Sequence, residues 1–162
     1  MVRELPSRSG AGFALGVVGH AKRMASDHPP ARRPPLLVLV QTAATVLMSL
    51  AIGQAGLAAA FMTGQSSLKE VHAINGFLLA AVTVATLICA VLYQRRGGPR
   101  WMVAAAVLLL LIEAVQITLG ETGATGAHIF LGVLLVTAAT LYTSYLFRPG
   151  FSKSRRRRGT RP

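Results

Sequence analysis

Four long apolar runs, about 36–62, 70–93, 101–119 and 127–147, fill the centre of this chain. Three short breaks separate them: a polar loop at 63–69, the turn QRRGGPR at 94–100, and a Gly/Thr-rich loop at 120–126. A helix needs about 20 mainly apolar residues to cross ~30 Å of hydrocarbon. All four runs are near or above that length, and the first is long enough to tilt or overshoot. The pattern predicts an all-α integral membrane four-helix bundle.

The two halves of that bundle repeat each other. The first carries Gln54-x-x-Leu57, a loop, His72-x-x-x-Gly76 and Leu78-Leu79. The second, a shorter stretch, carries Gln116-x-x-Leu119, a loop, His128-x-x-x-Gly132 and Leu134-Leu135. Both halves cross and return in the same sense. They are therefore expected to be parallel two-helix repeats about a pseudo-two-fold axis along the membrane normal.

Charge sharpens this picture. The chain is 52% hydrophobic and 14% charged. Apart from His, Tyr and Cys89, the ionisable residues between Leu36 and Phe147 are Lys69, Glu70, Arg95, Arg96, Arg100, Glu113 and Glu121. A soluble helical domain needs charged outer faces, which these runs lack. Of the 17 Lys and Arg, six precede the first run, three lie in the 94–100 turn and seven follow Phe147. Lys69 alone lies in the other two loops. The positive-inside rule then puts both termini in the cytoplasm and the 63–69 and 120–126 loops outside, as expected of a multi-pass protein of the plasma (inner) membrane. The net charge of +12 reads as topology rather than as nucleic-acid binding.

The flanks contribute little chemistry. Residues 1–35 are rich in Arg, Pro, Gly and Ser and read as a disordered basic lead-in; Met24 is an alternative start. The apolar patch Ala11 to Val18 is too short to span. Residues 148–162 read as a basic tail in which Arg155 to Arg158 lie solvated near anionic lipid. Cys89 is the single cysteine, so no disulfide framework or CxxC pair exists; it reads as a small packing residue. Trp101 reads as an interfacial anchor. Gln41, Thr42, Thr45, Ser49 and Gln54 are expected to bond from the first helix to its neighbours.

The candidate chemistry lies with His72 and His128, the only histidines in the apolar portion. Each is placed two residues into a helix at the same end of the bundle. Helices pack about 8–10 Å apart, so the bundle diagonal is roughly 14 Å, a reach at which two imidazoles can clamp one flat macrocycle. Histidine pairs on facing helices hold haem iron in bundles. Gly76 and Gly132, one turn deeper, remove side chains beneath each histidine and are expected to leave room for the ligand. The competing reading makes both histidines interfacial residues and both glycines packing devices. Glu113 is an intramembrane carboxyl, and Gln116 lies one turn on along the same face. Either they line the pocket beneath a haem or a quinone, or Glu113 is protonated and bonded to Thr or Gln of another helix. Glu121 and Thr122 read as solvated loop residues.

The run Gln116-x-x-Leu119-Gly120, Thr122, His128, Gly132 resembles the segment joining the last two helices of a half of the haem A synthases. That family has two four-helix halves, with histidines on the second and fourth helices of each. The resemblance covers about 36–147, one half only, and implies that His72 and His128 are the haem ligands. Glu70 stands near a family glutamate, but here the spacing is Glu-x-His rather than Glu-x-x-His. With one half present, the resemblance implies a module binding one haem b rather than a synthase. The expected function is electron transfer or haem handling, with a redox partner or quinone. The alternative is a cofactor-free four-span accessory subunit or small transporter.

Overall fold

The computed structural model describes residues 33–148. The readings made above on residues 1–32 and 149–162, including Met24 and Arg155 to Arg158, lie outside the described residues. Among the described residues the secondary structure is four α-helices: α1 (Pro35–Met62), α2 (Leu68–Arg95), α3 (Trp101–Glu121) and α4 (Thr125–Leu146). All four are long and apolar enough to cross a membrane. The expected all-α four-helix membrane bundle is what the chain forms.

Local signals set the helix ends. Pro35 occupies the first position of α1, where its missing N–H would be unpaired in any case. Just past the C-terminal ends of α1, α2 and α3 stand Gly64, Gly97 and Gly123, each with positive φ. That left-handed step reverses the chain and favours glycine. After α2, the Gly98 amide donates to the Tyr93 carbonyl at 3.0 Å and closes the turn. The α2 and α4 helices start two residues earlier than hydropathy implied, at Leu68 and Thr125. Hydropathy marks where lipid begins, whereas the helix begins with its first hydrogen bond, in polar sequence.

The helices pack in a ring, α1 on α2, α2 on α3, α3 on α4 and α4 on α1. Helices α2 and α4 are therefore diagonal partners. Much of the core is small: Ala44, Ala51, Ala90, Ala106 and Ala139 are buried. Small side chains let helix backbones approach where lipid supplies no hydrophobic drive. Polar ties reinforce the α1–α4 seam. Gln41 donates to the Leu146 carbonyl at 2.8 Å and Thr143 to the Ala44 carbonyl at 3.0 Å. Thr45 and Ser49, expected to bond between helices, instead bond back to Gln41 and Thr45 carbonyls within α1. A hydroxyl four residues on reaches its own helix before it reaches a neighbour.

The repeat extends into the core. Buried Val40, Ala44, Leu47 and Ala51 of α1 each stand 62 residues before buried Met102, Ala106, Leu109 and Glu113 of α3. Buried Leu79, Thr83, Thr86 and Ala90 of α2 each stand 56 residues before buried Leu135, Ala139, Tyr142 and Leu146 of α4. The six-residue difference comes from a connection two residues longer in the first half and from longer helix ends beside it. Two offsets that map every buried residue of α2 and α3 onto a buried partner describe a duplicated hairpin.

This core occupies only one end of the bundle. No residue of α1 after Ala51, of α2 before Leu79, of α3 after Glu113 or of α4 before Leu135 is buried. The other end, which carries the 63–67 and 122–124 connections and both histidines, is looser. It is called the histidine end below.

Candidate functional site

At the histidine end each half ties its histidine ring to a glutamine carbonyl of the preceding helix, forming a clasp. His72 is the fifth residue of α2 and His128 the fourth of α4, rather than two residues in. The His72 Nδ1 lies 3.2 Å from the carbonyl oxygen of Gln54 on α1. The His128 Nδ1 lies 2.9 Å from the carbonyl oxygen of Gln116 on α3. A carbonyl only accepts, so each Nδ1 carries the proton and each Nε2 keeps its lone pair. Such a bond is also the usual support of a metal-ligating histidine.

The glutamines complete the clasps. Gln116 Nε2 donates to the backbone carbonyl of His128 at 2.8 Å. Gln54 Nε2 lies 3.2 Å from His72 Nε2, while Asn75 Nδ2 donates to Gln54 Oε1 at 2.6 Å and to the Leu50 carbonyl at 3.1 Å. The glycines make room, but for these glutamines. A Cβ on Gly76 would stand 3.1 Å from Gln54 Nε2, and one on Gly132 would stand 2.8 Å from Gln116 Nε2. The expectation that Gly76 and Gly132 leave space for a ligand is corrected accordingly: the amide of the neighbouring helix lies in that space.

The two rings converge. The centroids of His72 and His128 are 6.0 Å apart, with planes inclined at 69°. These are rings from diagonal helices, so both side chains project across the bundle toward its axis. Phe61 packs edge-on against His72 at 5.3 Å. Gly120 brings the α3 backbone under His128, where a Cβ would stand 3.2 Å from the ring. The two clasps thus share the bond from the histidine Nδ1 to a glutamine carbonyl and differ in the glutamine amide's partner and in ring packing.

Glu113 lies at the rim of the core, 3% exposed. Its Oε1 is 2.6 Å from Thr83 Oγ1 on α2, and its Oε2 has no partner among the described residues. Gln116 Oε1 is likewise buried without a partner. The structure pairs Glu113 with a threonine of the preceding helix, the contact that the second of the two readings calls for. Glu70 is exposed in the first turn of α2, and Glu121 and Thr122 are exposed. Thr83 and Asn75 were not singled out from the sequence. A threonine in an apolar run and an asparagine beside a histidine give no sign of what they face.

Among the described residues no group of three or more His, Cys, Asp or Glu could hold a metal ion. The available donor set is two imidazoles. Their 6.0 Å, 69° arrangement is an edge-to-face ring contact. No protein-family model matches the chain, and no curated protein or solved structure matches it.

Proposed function

We propose that this chain is a multi-pass membrane protein that binds one haem b between His72 and His128 for electron transfer or haem handling. The observation that carries the reading is the meeting of the two rings, 6.0 Å apart, from diagonal helices of a duplicated bundle. Three features support it. Both Nδ1 atoms are tied to backbone carbonyls, which fixes ring orientation and leaves Nε2 as the ligand atom. The histidine end is free of buried packing. The resemblance to one haem A synthase half falls on these same two histidines.

When bound, haem would supply one-electron chemistry. The chain's own residues do the rest. His72 and His128 would hold the iron, and Gln54 and Gln116 orient them through backbone carbonyls. Gln54's amide must turn from His72 Nε2 to free that lone pair. By the distribution of Lys and Arg, the termini lie in the cytoplasm of a plasma (inner) membrane and the histidine end faces outward. A quinone or a redox protein at that face would be the electron partner.

The full chain purified in detergent from haem-replete cells tests this. A sharp reduced α band that is lost in both H72A and H128A is expected. A colourless preparation, or a band that survives both substitutions, would refute the proposal.

One observation favours a second, cofactor-free reading. Gln54's amide already satisfies His72 Nε2, so the clasp is complete without a metal. On that reading Q54A breaks a structural network and lowers stability. On the haem reading the same change clears the ligand nitrogen and leaves the α band in place.

A further inference from the structure

The internal repeat isolates one polar pair. Glu113 of α3 corresponds to Ala51 of α1, and Thr83 of α2 corresponds to Ala139 of α4, by the offsets that relate the rest of the core. The contact between α2 and α3 thus carries a carboxyl and a hydroxyl where its counterpart between α1 and α4 has two alanines. Packing at this position does not require the pair, since buried alanines fill the equivalent position in the other half.

Thr83 Oγ1 lies 3.0 Å from the Leu79 carbonyl and donates to Glu113 Oε1 at 2.6 Å. The other carboxyl oxygen, Oε2, is buried with no partner among the described residues and is the atom left to carry a proton. A carboxylate here would also have no cation to meet. No Lys or Arg lies between Arg33 and Lys69, between Lys69 and Arg95, or between Arg100 and Arg148. An unpaired charge in so dry a place is prohibitive, and the group stays neutral instead.

The surroundings give the group one accessible side. Toward the termini α3 continues with buried Leu109, Ala106 and Met102, and the titratable groups of the core there are Cys89, Tyr93 and Tyr142. Toward the histidine end stand the unpartnered Gln116 Oε1 and then His128 and His72. Two orphaned buried oxygens, Glu113 Oε2 and Gln116 Oε1, sit one turn apart on one helix face. Such a pair suits a water that relays protons.

We infer that Glu113 is an intramembrane proton-binding site, loaded in the resting protein and exchanging its proton with water only through Gln116 and the histidine end. This does not depend on haem. A neutral carboxylic acid in an apolar setting is also the group that hydrophobic carbodiimides modify. Its O–H adds across one C=N bond, the proton passes to nitrogen, and the acyl group then migrates to nitrogen as a stable N-acylurea. Nothing leaves and no oxidant is needed.

The test uses the full chain in phosphatidylcholine nanodiscs at neutral pH. Dicyclohexylcarbodiimide is expected to add one equivalent per chain, mapped by peptide mass to Glu113. The adduct is expected to be lost in E113Q and kept in E70Q and E121Q. Infrared spectra should show a protonated-carboxyl C=O band that is absent in E113Q and shifts down in D2O. The band should move up in T83V. Q116L is expected to lose the rapid deuteration of that band, with Y142F unchanged. An adduct confined to Glu70 or Glu121, or a C=O band that persists in E113Q, would overturn the proton site. Equal deuteration in Q116L and the wild type would overturn the one-sided route. Mapping on the wild-type chain keeps the test open should E113Q fail to fold.

Discussion

Replacing Gly132 by alanine separates two opposing effects whose sizes are known. In a helix interior, Gly→Ala restores backbone rigidity worth about 0.5–1 kcal/mol. At Gly132 the new Cβ would stand 2.8 Å from Gln116 Nε2, the far end of a flexible side chain. Gln116 can swing aside, so the penalty is the bond it leaves behind rather than a clash. That bond runs to the His128 carbonyl at 2.8 Å. Interhelical hydrogen bonds in membranes are worth about 0.6 kcal/mol on average and about 1.7 at most. The two effects nearly cancel, and G132A is expected to be neutral or slightly destabilised. Gly53 in α1 supplies the control, because a Cβ there meets nothing within 4 Å. G53A should show the full gain of about 0.5–1 kcal/mol. Unfolding of both variants in mixed micelles titrated with dodecyl sulfate, followed by helical circular dichroism, measures the difference. G53A is expected to lie about 0.6–1.7 kcal/mol above G132A, which is the lost bond alone because both variants share the gain. Equal stabilisation of the two would show that Gln116 does not rest on Gly132, and the clasp described here would be wrong.

Other outcomes follow from single contacts. Y142F should leave stability unchanged or raise it by up to about 1 kcal/mol, because the buried Tyr142 hydroxyl has no partner among the described residues. T143V should lower it by about 0.6–1.7 kcal/mol through loss of the bond to the Ala44 carbonyl, read in the same denaturation series. Q41L removes the tie from α1 to the Leu146 carbonyl and should increase proteolysis at the C-terminal end of α4. N75A removes both of Asn75's bonds and should loosen the first clasp but not the second, so hydrogen exchange should rise at Gln54 and stay unchanged at Gln116.

Much of the molecule was legible in the order of residues. Four apolar runs dictated four helices, because lipid admits no other open arrangement of hydrogen-bonded backbone. Glycines just past three of those runs marked the turns. The matching of Gln54, His72 and Gly76 with Gln116, His128 and Gly132 announced a duplication that the buried core then followed position by position.

What lay beyond the sequence was decided by helix rotation and side-chain direction. Spacing placed each glycine one turn below its histidine, but not that a glutamine from the preceding helix would fill the gap. A carboxyl at Glu113 was visible in the sequence. Its partner Thr83, thirty residues away on another helix, became a partner only once α2 and α3 were docked. A diagonal of roughly 14 Å between helix axes leaves the ring spacing open, since it depends on which way each histidine turns. Local sequence sets each helix and its ends, while the 6.0 Å meeting of His72 and His128 is a product of how all four helices pack.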